Sequence, residues 1–244
     1  MSPPAEIRVL NAPQELFQAA AAEFIALAED AIRDHGRFAV ALSGGSTPRG
    51  LYSLLASEVV PRLPWDKIYA FWGDERHVPP DHPDSNYRMA REALLAKVAI
   101  PSENVFRIEA ETKDADAAAK SYEETLKRFF GLQSGQLPRF DLILLGLGPD
   151  GHTASLFPGS AALAETTRLV MANWVEKFKT FRITFTYPVL NSAASVMFLV
   201  SGADKSAAVR DVLKGKGDLP AGRVRPENGR VMWLLDRAAA SSLG

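Results

Sequence analysis

The chain has 244 residues and no cysteine. That absence excludes disulfides, a thiolate nucleophile and any cysteine-ligated metal site, and it suits a reducing compartment. Charge of one sign is lacking too: 28 Lys and Arg against 29 Asp and Glu leave a formal net charge of −1. No basic field draws in a nucleic-acid backbone or an anionic membrane, so neither is expected as a partner. The opening stretch MSPPAEIRVL has neither a basic leader nor a long apolar segment. No signal peptide or membrane anchor is therefore expected, and the expected location is the cytoplasm.

What is there is a succession of short apolar runs: Ile7 to Leu10, Phe38 to Leu42, Ile68 to Trp72, Phe140 to Leu145, Val196 to Val200 and Val231 to Leu235. Most are apolar on both faces, as buried parallel strands are. Between them lie helix-like stretches at Gln14 to Arg33, Arg49 to Val59, Asn86 to Lys97, Ala115 to Phe130 and Lys205 to Leu213. This alternation predicts an α/β fold with a mostly parallel sheet flanked by helices on both faces. The linker-like stretch KGKGDLPAGRVRPEN, Lys214 to Asn228, reads as a surface loop, so residues 1–244 form one expected domain. In such sheets ligands bind beyond the carboxyl ends of the strands.

Three strand ends carry chemistry. After Phe38 to Leu42 comes SGGSTPRG. Thr47 as N-cap with Pro48 at the first helical position explains a tight turn. The pair Gly44 and Gly45 goes further, since missing Cβ atoms let backbone N–H groups converge on an anion at a helix N-terminus. From the loop alone, capped turn and phosphate cradle both stand. No Gly-Lys-Ser/Thr follows the pair, so a nucleotide triphosphate is not expected.

The second strand end is FWGDERHVPPDHPDSNYRMA, where Asp74, Glu75, Arg76 and His77 crowd together and Pro79, Pro80 and Pro83 stiffen the loop. Asp84 or Ser85 is the expected cap of the next helix. The third is FDLILLGLGPDGHTASLFPGS. Its glycine spacing does not match a dinucleotide fingerprint, but His152 on a glycine-rich turn beyond a central strand suits acid–base chemistry near neutral pH. His35, His77 and His82 read as structural or solvated. Arg182 and Lys205, each placed at a strand boundary, become counter-charges if the glycine loop holds a phosphate.

Taken in order, SGGSTPR, GDERHVPPDHPDSNYRMA, LLGLGPDGHTASLFPGS, RITFTYPVLNSA and SGADKSAAV closely resemble the 6-phosphogluconolactonase family, from about Phe38 to the Trp233–Asp236 segment. The resemblance implies a Rossmann-like fold shared with glucosamine-6-phosphate deaminase and ribose-5-phosphate isomerase. It also implies hydrolysis of 6-phosphoglucono-δ-lactone to 6-phosphogluconate without a metal; no cofactor is expected, the expected partner is the sugar-phosphate substrate, and the expected state is a monomer or weak homo-oligomer. Carried over, Gly44, Gly45, Ser46 and Thr47 with Arg182 and Lys205 hold the phosphate, and His152, Asp74 and Arg76 are the catalytic set. The deaminase pattern is the near competitor. It has Asp-Glu-Tyr where this chain has Asp74-Glu75-Arg76, and Asn-Glu-Pro after its histidine where this chain has Ser155-Leu156-Phe157-Pro158. No Gly-x-Ser-x-Gly elbow is present, so water activated by neutral His152 is the expected nucleophile.

Overall fold

The run FAVAL is almost without solvent exposure at every residue, because it is hydrogen-bonded on both edges and covered on both faces. A computed structural model describes residues 5–57 and 63–244. In chain order the elements are β1 (Glu6–Leu10), α1 (Pro13–His35), β2 (Phe38–Leu42), α2 (Ser46–Leu55), β3 (Ile68–Trp72), β4 (Asp74–Arg76) and α3 (Asn86–Ala90). Then come α4 (Ala115–Phe130), β5 (Leu142–Leu145), β6 (Val170–Val175), β7 (Thr180–Phe185), α5 (Tyr187–Ser192), β8 (Ser195–Val200), α6 (Ser206–Leu213), β9 (Arg230–Asp236) and α7 (Arg237–Ala240).

The main sheet has the order β1-β9-β8-β5-β2-β3, with every neighbouring pair parallel. From β2 the chain moves outward to β3; from β5 it moves the other way, through β8 to β9. The sheet thus reverses direction between β2 and β5, which opens a crevice beyond their carboxyl ends. A second sheet of order β4-β7-β6 is antiparallel. Among the described residues no helix is long and apolar enough to cross a membrane.

Several expectations shift. The helix after the glycine pair begins at Ser46, so Gly45 at φ 106 is the N-cap, and Thr47 and Pro48 lie inside the first turn without a side-chain cap bond. Thr47 is therefore not the cap: a positive φ is cheap for glycine, so the chain turns into the helix two residues earlier. The expected end of that helix, Val59, lies outside the described residues. The helix from Asn86 breaks at Ala90 into one π turn, Arg91–Leu95, and is capped by Ser85, whose hydroxyl accepts from Arg88 N at 3.1 Å. Arg182 lies within β7 rather than at a strand boundary. The stretch after Lys214 is not all surface: Pro220 and Ala221 are buried, and Tyr187 donates to Pro220 O at 3.0 Å.

Two tyrosines hold the strand ends that frame the crevice. Tyr52 accepts from Ser43 N and donates to Ser43 O, both at 2.9 Å. Tyr122 accepts from Trp72 N at 2.8 Å and donates to Trp72 O at 3.2 Å. Both rings are buried, and burial holds both phenols well above their usual range. Tyr122→Phe strands a buried N–H and C=O together, so it should cost about 1–3 kcal/mol. Urea unfolding checks this, and an unchanged midpoint would contradict the stapling role.

Candidate active site

The crevice between β2 and β5 holds a cavity of about 230 Å³. Its floor is the loops after β2, β5 and β8; its wall is the second sheet, which lays β4 and β7 across the opening. Gly44, Gly45, Ser46, Thr47, Asp74, Arg76, His152, Arg182 and Lys205 all line it. Residues spread from position 44 to position 205 thus meet because the sheet reverses direction where it does.

On the β2 side, Gly44 is needed for close approach. A Cβ there would lie 1.8 Å from Asn86 Oδ1, and Asn86 donates from Nδ2 to Asp74 O at 2.9 Å. Gly45 turns the chain so that the first turn of α2, with Ser46 and Thr47, faces the cavity. Free N–H groups at that helix start favour an anion. Just before it, Ser43 lines the cavity, and its buried hydroxyl has no hydrogen-bond partner among the described residues. Lys205 completes this side from the β8–α6 connection, with Nζ 2.8 Å from the carboxylate of Asp204.

Strand alternation sorts the charged cluster on β4. Asp74 and Arg76 face the cavity. Glu75 faces away and is buried, accepting from Arg76 N, Asn86 N, Tyr87 N and the Ser85 hydroxyl at 2.7–3.1 Å. Burial pushes its carboxyl up, against the pull of those hydrogen bonds. Glu75 therefore fixes β4 to the start of α3 rather than meeting a ligand. Asp74 accepts from the Ser155 hydroxyl at 2.6 Å.

Arg76 and Arg182 are direct partners in the antiparallel β4–β7 register. Like charges placed opposite each other repel. Burial first, and then the charge of Arg76, lowers the proton affinity of Arg182. Arg76 donates to Asp84 O at 2.6 Å, yet the Nε of both arginines is buried without a partner among the described residues. Both residues line the cavity, and two guanidiniums side by side bias it toward an anion.

His152 lies on the β5 side. Its Nδ1 is 2.5 Å from Asp150 Oδ1, and its ring stacks on Phe157 at 4.0 Å and 22°. Gly148 makes room for the ring, since a Cβ there would lie 1.9 Å from Nδ1. With Nδ1 engaged by the carboxylate, Nε2 is the nitrogen left for proton transfer. Burial lowers the imidazole's proton affinity more than Asp150 and Asp74 raise it, so the ring titrates below its ordinary value and is neutral at neutral pH. Burial also pushes the Asp150 carboxyl up, but its contacts with His152 and Lys177 outweigh this and it settles below its ordinary value. Among the described residues no group of three His, Asp or Glu side chains is arranged to hold a metal.

The glucosamine-6-phosphate isomerases/6-phosphogluconolactonase family matches residues 11–233. The chain belongs to this family. A 6-phosphogluconolactonase of Nostoc sp. is 46% identical over 218 residues, 88% of each chain. One from Synechocystis sp. is 47% identical over 216 residues, 87% of this chain and 88% of its own. Among solved structures of the family, the 6-phosphogluconolactonase from Trypanosoma cruzi superposes with a TM-score of 0.87 at 33% identity, covering 100% of this chain and 98% of its own. A monomeric glucosamine-6-phosphate deaminase shares the fold, with a TM-score of 0.79 at 23% identity over 97% of this chain and 99% of its own.

Asp150, Asn86, Ser155 and Phe157 join the site although the motif reading did not single them out. Asp150, two residues before His152, was the most findable, because a short acid before a turn histidine is well placed to hold the ring. Phe157 carried no local signal. Asp150→Asn replaces the anionic acceptor that favours the protonated ring by a neutral one, so the pKa of His152 should fall further. An NMR titration of the His152 ring protons measures this, and an unchanged or raised pKa would contradict the geometry.

Proposed function

We propose that this protein hydrolyses 6-phosphoglucono-δ-lactone to 6-phosphogluconate, the reaction named in its close relatives. The observation that carries the reading is the convergence, in one cavity, of an anion receptor and a carboxylate-held neutral imidazole. The phosphate takes the positively biased side: the loop Gly44–Thr47, Arg182 and Lys205. Arg76, directly opposite Arg182, adds its charge there, so its contribution lies in anchoring at least as much as at the carbonyl. The remainder of the sugar then extends toward His152.

In the chemical step, water attacks C1 as His152 Nε2 takes its proton. The C1–ring oxygen bond breaks, and the same proton passes to the departing oxygen, which becomes the C5 hydroxyl. The carboxylic acid formed at C1 ionises and releases one proton to solvent. Asp150 holds the ring in the tautomer that leaves Nε2 free and steadies the imidazolium. Asp74, fixed by Ser155 and Asn86, is placed to accept from a sugar hydroxyl. Phosphate binding, remote from C1, holds the carbonyl over the base. None of these steps needs a metal or cofactor, and in this reading each chain carries one site and works in the cytoplasm, as a monomer or weak homo-oligomer. Phe157 occupies the neighbourhood of His152 where the deaminase pattern has a glutamate, which supports the lactonase over the deaminase.

Purified protein should release acid from fresh lactone above the spontaneous rate and release no ammonia from glucosamine 6-phosphate. His152→Ala should lower kcat by about 10²- to 10⁴-fold. The rate should fall as acid protonates His152, with the acid limb below the ordinary imidazole value of about 6.5. Ammonia release, or wild-type kcat in His152→Ala, would overturn the reading.

A further inference from the structure

The tip of the β6–β7 hairpin is a 3-10 turn over Glu176–Phe178, closed by Lys179 at φ 50. It has no part in the chemistry above, yet it touches both halves of the site. Phe178 presents its ring face to Arg182, whose guanidinium carbon lies 5.1 Å from the ring centre. The same ring meets Phe157 nearly edge-on, at 5.8 Å and 79°, and Phe157 is the surface on which His152 stacks. Beside it, Lys177 Nζ lies 3.4 Å from the second oxygen of Asp150.

Arg182 makes no hydrogen bond from its side chain and no ion pair among the described residues, and its neighbour Arg76 repels it. An acceptor would fix the guanidinium only by consuming donors that an anion needs. A ring face attracts the cation without consuming N–H groups. Phe178 is 47% exposed, so it gives the core little, and its contacts act mainly on the side chains they orient.

We propose that Phe178 is a positioning residue that couples the two halves of the site, aligning Arg182 by its ring face and His152 through Phe157. The inference rests on the lactonase reading for what the alignment serves, but its test needs no turnover. The test compares Phe178→Ala, Phe178→Leu and Phe178→Tyr by calorimetric titration with inorganic phosphate and by NMR titration of His152, with thermal unfolding confirming the fold.

Phe178→Ala should weaken phosphate binding about 2- to 30-fold, the range of a single cation–π contact. It should also raise the pKa of His152, because water reaches the Phe157–His152 stack while Asp150, Asp74 and Lys177, the charged groups facing the ring, remain in place. Phe178→Leu keeps an apolar contact with Phe157 but has no ring face, so phosphate binding should weaken while His152 titrates near the wild-type value. Phe178→Tyr should restore both. Wild-type binding and titration in Phe178→Ala, or wild-type phosphate affinity in Phe178→Leu, would overturn the proposal. Wild-type protein inactive on the lactone would overturn the lactonase reading alone, since these two titrations still decide the role of Phe178.

Discussion

Two guanidiniums held side by side across an antiparallel strand pair set the terms for the rest of this site. Nothing in the local sequence makes Arg76 and Arg182 neighbours; the register of β4 on β7 does. The arrangement is costly, because like charges face each other and, among the described residues, neither Nε has a partner. In the proposed reading, a phosphate ester beside the two guanidiniums offsets their repulsion, which would couple its affinity directly to the fold. The surrounding structure must hold the pair against its repulsion, and the buried Glu75 does so from behind, by clamping β4 to the start of α3 with three accepted hydrogen bonds.

The main sheet supplies the complementary half. Because the chain leaves β2 and β5 in opposite directions, the helix start after β2 and the histidine turn after β5 border one crevice without crossing connections. Glycine is used where backbone or side chain must approach closely: Gly44 leaves room for Asn86, and Gly148 leaves room for the imidazole. Asp150 then decides which nitrogen of His152 is available. In the proposed reading, binding and proton transfer thus fall to different loops, with the sugar between them as the link.

The legible parts of the sequence were those with a strong local signature. Strands such as FAVAL and IYAFW read directly because burial on both faces leaves a continuous apolar run. Most of the candidate residues that meet in the cavity were nameable because they sit at a strand end or in a motif of unusual composition; Arg182, inside β7, was named through its motif and not through a strand boundary. The second sheet was not legible: β4 spans only three residues, all of them charged, and its pairing with β7 joins segments more than 100 residues apart. Local pattern carries no information about such a register. The helix cap was misplaced for a different reason, since Thr47-Pro48 is a good start signal and the glycine before it made an earlier start cheaper. Phe157 and Phe178 were invisible as site residues because aromatic packing around a histidine leaves no spacing rule to find.

If the paired arginines and the helix start form the phosphate receptor, their geometry predicts where the product lies. The most direct test is a crystal structure with 6-phosphogluconate. Its phosphate should sit between Arg76, Arg182, Lys205 and the N–H groups at the start of α2, with its carboxylate within hydrogen-bond reach of His152 Nε2. A phosphate bound away from the two arginines, or a C1 carboxylate out of reach of His152, would contradict it.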